Sequence, residues 1–189
     1  MPKKPTTTRE EMIEGAFQLI RREGFSALTV RRLAEELGCS TQPIMYQFPD
    51  LEVLKDAVYE KADRFHSEYI LEDDDFLEIG LRYIRFASEE GNLFRFLFQT
   101  DKFGGLDVEA LMKNPNLEAV ITVMAKGLAC EETEAREMFL TFFSVAHGLA
   151  SLLANNSMKY DEGKCRKMLE SVFFGMLASR KGKQHTKPV

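Results

Sequence analysis

Apolar positions recur with a period near 3.6 residues along most of the chain, and no stretch convincingly alternates as a half-buried strand would. Met12, Ile13, Ala16, Phe17, Leu19 and Ile20 share one face of a helix predicted over Arg9–Glu23, with Thr7 or Thr8 as its cap. Gly24 is expected to end it in a left-handed conformation, with Phe25 folding back over the helix end. A short helix is predicted over Thr29–Leu37, ended by Gly38. Another follows over Thr41–Phe48, capped by Ser40 and closed by Pro49. Pro43 is tolerated in its first turn, where the N–H has no intrahelical partner. Asp50 caps a long helix over Leu51–Ile70. Further helices are predicted over Phe76–Glu89, Leu93–Gln99, Asn116–Leu128, Glu132–Asn155 and Glu162–Ser179, with a short one near Val108–Met112. Gly91-Asn92, Gly104-Gly105 and Asn155-Asn156-Ser157 punctuate them, and the tail Arg180–Val189 is expected to be disordered. The pattern predicts an all-α chain.

Between residues 26 and 48 two short amphipathic helices meet at a turn holding Gly38. Ala34 is small enough for the helices to cross closely, and Leu33, Leu37, Ile44 and Phe48 can seal a small core against the first helix. That arrangement turns the N-terminus of the third helix outward, as in a helix-turn-helix whose second helix enters a DNA major groove.

The segments Glu23-Gly24-Phe25, Leu28-Thr29-Val30-Arg31-Arg32-Leu33-Ala34-Glu35-Glu36-Leu37-Gly38 and Ile44-Met45-Tyr46-Gln47-Phe48 resemble the tetracycline-repressor (TetR/AcrR) family of bacterial regulators. The resemblance covers about Thr8–Leu54. It implies an N-terminal three-helix DNA-binding domain over residues 1–50, a helical ligand-binding and dimerisation domain over 51–180, and a tail over 181–189. It also implies double-stranded DNA as partner, a homodimer reading a palindromic operator, and release by a small, largely apolar effector.

By the same resemblance Thr29 caps the second helix and touches a phosphate, and Arg31 reads a base, with Arg32 beside it. An arginine fork matches guanine O6 and N7. A bare cap for Thr29 and a solvated charge for Arg31 are the plainer alternatives. Ser40, Thr41, Gln42, Met45, Tyr46 and Gln47 form the candidate reading surface. Tyr46 would reach phosphate, or else pack on the first helix. Two positions depart from the family pattern. Met45 replaces an aromatic, and Pro49-Asp50-Leu51 lacks the lysine that would bind phosphate near the start of the fourth helix. A lost phosphate contact weakens affinity and flattens its salt dependence, so binding would lean on Arg9, Arg31, Arg32 and the N-terminal lysines.

The C-terminal half is rich in Phe and Met, which predicts a packed core and permits an apolar pocket. Phe65, Phe86, Phe98, Met124, Phe142 and His147 are the candidate lining. Phe139, Phe143, Ala146, Ala150, Met168, Leu169, Val172, Phe173 and Met176 are candidates for a four-helix dimer interface, with burial inside one subunit as the alternative.

Net charge is −5, but residues 1–55 carry eight basic and eight acidic residues, so the excess of acid lies beyond them. Charge therefore permits DNA binding without predicting it. The three cysteines are far apart and odd in number, which fits free thiols in a reducing compartment. The scattered His and Cys give no metal-ligand spacing, and the acidic run Glu72–Asp75 has no EF-hand pattern after it. No cofactor is expected. No Ser/His/Asp or Cys/His grouping and no Gly-rich phosphate loop suggests an enzyme. No apolar run approaches the roughly 18 residues of a membrane span, and the charged start lacks the apolar stretch of a secretory signal; both predict a cytoplasmic protein. A helical adaptor whose helix-turn-helix no longer binds DNA is the competing reading.

Overall fold

The computed structural model describes residues 7–72, 75–100, 115–156 and 158–184. Among these residues all regular structure is helical: α1 Arg9–Glu23, α2 Val30–Leu37, α3 Thr41–Gln47, α4 Leu51–Ile70, α5 Phe76–Glu89, α6 Gly91–Phe98, α7 Pro115–Leu128, α8 Glu132–Asn156 and α9 Glu162–Gln184, with one 3₁₀ turn at Phe25–Ala27. The expected short helix near Val108–Met112, the N-terminal lysines and the middle of the acidic run lie outside the described residues.

Local chemistry sets most helix ends. Thr8, rather than Thr7, caps α1 in a capping box. Its hydroxyl accepts the Glu11 N–H at 3.2 Å, and the Glu11 carboxylate accepts the Thr8 N–H at 2.7 Å. Asp50 caps α4 by accepting the Glu52 N–H at 3.0 Å. At the end of α2, Cys39 N–H donates to Ala34 O at 3.0 Å and Gly38 N–H to Glu35 O at 3.3 Å. Gly38 takes φ 61° and ψ 31°, the left-handed conformation this closure needs. α7 ends the same way, with Cys130 N–H on Ala125 O and Ala129 N–H on Lys126 O, but here Ala129 takes the positive φ of 48°.

Several expectations need correction. Gly24 has φ 90° with ψ 164°, so it is not a left-handed helical cap. It turns the chain into the 3₁₀ segment, and the Phe25 ring stacks on Phe96 with centroids 6.5 Å apart. Ser40 holds the N-cap position of α3 without a side-chain capping bond. α9 continues through Gln184, past the expected end at Ser179. Arg180 explains part of this: its guanidinium donates to Leu128 O at 2.6 Å and Ala129 O at 2.7 Å, pinning that turn to the end of α7. Among the described residues one helix, Glu132–Asn156, is long and apolar enough, by length and composition, to cross a membrane. Its polar residues are mostly uncharged, which an inspection for unbroken apolar runs undervalues. Ala135, Met138, Phe139, Phe142, Ala146 and Ala150 on this helix are buried inside the protein.

The chain divides into two compact units, residues 1–72 with 86–100, and residues 73–85 with 101–189. Packing thus groups α4 and α6 with the first three helices. In the first unit α1 packs against α2, α4 and α6, and α2 against α3. Met12, Ala16, Leu19, Ile20, Leu33, Ile44, Leu54 and Val58 form its interior. Gly15 lets α2 come close, since a Cβ there would lie 2.9 Å from Leu37 Cδ2 and 3.3 Å from Leu33 Cδ1. In the second unit α8 packs against α7 and α9. Ile121, Met124, Ala125, Ala135, Met138 and Phe139 are buried together, with Phe76 and Phe173 packed against them.

Candidate nucleic-acid interface

The third helix buries one side only. Ile44 and, just past its end, Phe48 are buried against the interior, while Thr41, Gln42, Met45, Tyr46 and Gln47 are all exposed. Ser40, at the helix start, is exposed as well. The alternative that Tyr46 packs on α1 is excluded, because the residue is 86% exposed. Residues 40–42 and 45–47 therefore form one solvated surface of aromatic, amide, hydroxyl and thioether groups, which suits contact with base edges and sugar-phosphate.

Thr29 caps α2 by accepting the Arg32 N–H at 3.1 Å and stays exposed. The cap and a phosphate contact are compatible, since a hydroxyl can accept one bond and donate another. Arg31 is the more exposed of the two α2 arginines, at 87% of its side chain against 42% for Arg32. Its guanidinium meets Glu35 at 3.2 Å, one turn along the same helix. Arg9 lies over the Phe48 ring, 4.9 Å from its centroid, which places a cation at the foot of α3.

Counter-charges are the feature that sequence reasoning passed over. Arg32 pairs with Glu23 at 2.9 Å and with Glu35 at 3.6 Å, and Arg22 pairs with Glu23 and Glu36. These bonds hold the Glu23 carboxyl below its ordinary pKa, with Arg32 the larger cause and Arg22 the next. The Arg31–Glu35 pair was readable as an i, i+4 spacing. Glu23–Arg32 was not, because it depends on the chain turning at Gly24. On α4 the first cation is Lys55, which is paired with Glu52 at 2.7 Å.

The candidate pocket residues fall in both units. Phe65, Phe86 and Phe98 belong to the first unit, and Met124, Phe142 and His147 to the second. Phe86 and Phe98 flank the buried His66 with ring centroids 4.9 and 5.2 Å away. Burial pushes the His66 pKa down to about 4. His147 meets the Tyr83 hydroxyl at 2.8 Å and packs on Phe143. The candidate dimer residues also divide. Phe139, Ala146, Ala150 and Leu169 are buried within the chain, so they are core and not surface. Phe143, Val172, Phe173 and Met176 are half-buried, and Met168 is exposed, as are Leu152 and Phe174. Among the described residues no three His, Cys, Asp or Glu side chains gather as a metal site would.

A family model for the bacterial regulatory proteins of the tetR family matches residues 12–58. This stretch is similar to a domain of that family. It spans α1–α3 and the start of α4, the elements that place the surface just described. Over 51 residues the chain is 43% identical to a protein of Corynebacterium glutamicum described as the HTH-type transcriptional repressor AcnR. That match covers 27% of this chain and 27% of AcnR, so it falls within about a quarter of either protein.

Proposed function

We propose that this chain is a DNA-binding transcriptional regulator, acting as a repressor, which reads DNA with the outward side of α3 and with Arg31. The observation that carries the reading is the partition of α3: Ile44 and Phe48 hold the helix, and Thr41, Gln42, Met45, Tyr46 and Gln47 are exposed. Thr29, Arg31 and Ser40 stand at the start of α2 and α3, where helix N-termini favour phosphate. Gln42 and Gln47 match adenine, and Arg31 matches guanine. The similarity to a tetR-family domain and the likeness to a repressor support the same reading.

A homodimer would place two such surfaces on a palindromic site, with half-sites about one helical turn apart. A small, largely apolar effector bound by the later helices would release the DNA, by as much as it prefers the released form. The compartment is the cytoplasm. Replacement of Arg31 by Ala should abolish the sequence-specific shift in a gel assay and leave the oligomeric state intact; unchanged specificity would remove Arg31 from the interface. The competing reading, an adaptor that no longer binds DNA, draws on the carboxylate partners of Arg22, Arg31 and Arg32.

A further inference from the structure

Arg31 and Arg32 are adjacent in sequence and differ in what they hold. Arg31 points into solvent and pairs within its own helix. Arg32 reaches across to Glu23, the last residue of α1, at 2.9 Å. Glu23 also meets Arg22 at 3.0 Å, and Arg22 in turn meets Glu36 of α2 at 2.9 Å. Arg32, Glu23, Arg22 and Glu36 thus alternate in sign along a clasp between the end of α1 and one side of α2. A carboxylate at the C-terminal end of a helix faces the negative pole of its dipole. Two guanidinium partners offset that placement.

The same two helices approach closely at Gly15, where Leu33 and Leu37 pack. Gly15 and Glu23 are eight residues apart, roughly 12 Å along α1 at 1.5 Å per residue. Apolar packing is non-directional; a contact about a dozen ångströms away, made of directional charge-assisted bonds, restrains the angle between the helices. α3 packs on α2, so the direction of α2 decides where the exposed side of α3 comes to lie.

We propose that Glu23 is a positioning residue of the DNA-reading unit, holding α2 through Arg32 and Arg22, and that Arg32 is a strut in this clasp instead of a phosphate contact. The proposal rests on the DNA-binding reading above. Exposed ion pairs are individually weak, so the clasp acts on orientation more than on folding.

The test compares the full-length wild-type chain with Glu23→Ala, Arg32→Ala and the double variant. Affinity is measured across a salt series for the site selected by the wild-type chain and for a random duplex, with thermal melting alongside. The strut predicts that each single variant weakens binding to the selected site by roughly threefold to tenfold, the effect of up to one pair in a small network. The double variant should be no weaker than Glu23→Ala alone. Random-duplex affinity, salt slope and melting temperature should stay near wild type. A different result overturns it: Arg32→Ala lowering the salt slope by about 0.9 while Glu23→Ala tightens binding makes Arg32 a phosphate contact and Glu23 its competitor. Additive losses, no loss, or losses that vanish once corrected for folded fraction overturn it as well. A wild-type chain that binds no duplex overturns the strut and the DNA-binding reading together, whereas variants that match a binding wild type overturn the strut alone.

Discussion

Ile44 and Tyr46 stand two residues apart on α3 in opposite surroundings, Ile44 without exposed surface and Tyr46 with 86% of its own. The first holds the helix and the second has no structural work to do. Tyr46→Ala should therefore change stability by less than about 0.5 kcal/mol, as surface substitutions do, and should weaken binding to the selected site. Ile44→Ala should cost about 2–5 kcal/mol of stability. Urea unfolding of both variants beside a binding titration checks the pair. A destabilised Tyr46→Ala would mean that the ring packs after all.

Gly80 is required by Phe142. A Cβ at Gly80 would lie 2.6 Å from Phe142 Cε1, 2.7 Å from Cζ and 3.1 Å from Leu169 Cδ1. Phe142 is buried, with Phe76 4.4 Å and Phe173 6.3 Å from it between ring centroids, so it has little room to yield. Gly80→Ala should destabilise the chain by about 1–3 kcal/mol through overpacking, despite the better helix propensity of Ala. Thermal melting decides; a raised melting temperature would contradict the close approach.

Ala129 occupies the position that Gly38 holds at the end of α2. At φ 48° an Ala carries the steric cost of the left-handed region, which Gly avoids. Ala129→Gly should stabilise by up to about 1 kcal/mol, since relief of strain exceeds the extra freedom of an unfolded Gly. Chemical denaturation would register this as a higher midpoint with unchanged slope.

His66 makes stability depend on pH. Its folded pKa lies near 4 because burial disfavours the charged ring, against 6.5 for the free side chain. Between these values the unfolded chain binds a proton that the folded chain does not, so this contribution is whole above pH 6.5 and is lost as pH falls toward 4. The loss is on the order of 3 kcal/mol at 1.36 kcal/mol per pKa unit. Comparison of wild type with His66→Phe from pH 7.5 to 4.5 should show a steeper decline in the wild type. Parallel curves would contradict the assignment.

Much of the fold could be read from residue spacing because its causes are local. Thr8 with Glu11, Thr29, Asp50 and Gly38 each mark a helix end through bonds to residues within a few positions, and the i, i+3, i+4 stripe of α1 names its buried side. What could not be read depends on distant partners. α9 passes Ser179 because Arg180 finds the carbonyls of Leu128 and Ala129, about fifty residues away. Phe139, Ala146 and Leu169 are apolar on the right side for a dimer and equally for a core, and only packing tells these apart. At the candidate interface, the exposure of Gln42, Met45 and Tyr46 followed from the positions of Ile44 and Phe48. The neutralisation of Arg22 and Arg32 did not, since Glu23 reaches Arg32 only after the turn at Gly24.

The central claim is that the exposed side of α3, with Arg31, reads DNA sequence. Selection of bound duplexes from a random pool by the purified full-length chain at low salt tests it most directly. A palindromic site whose half-sites lie about one helical turn apart should be enriched, and the enrichment should be lost with Arg31→Ala. A folded wild-type chain that enriches no sequence would contradict it.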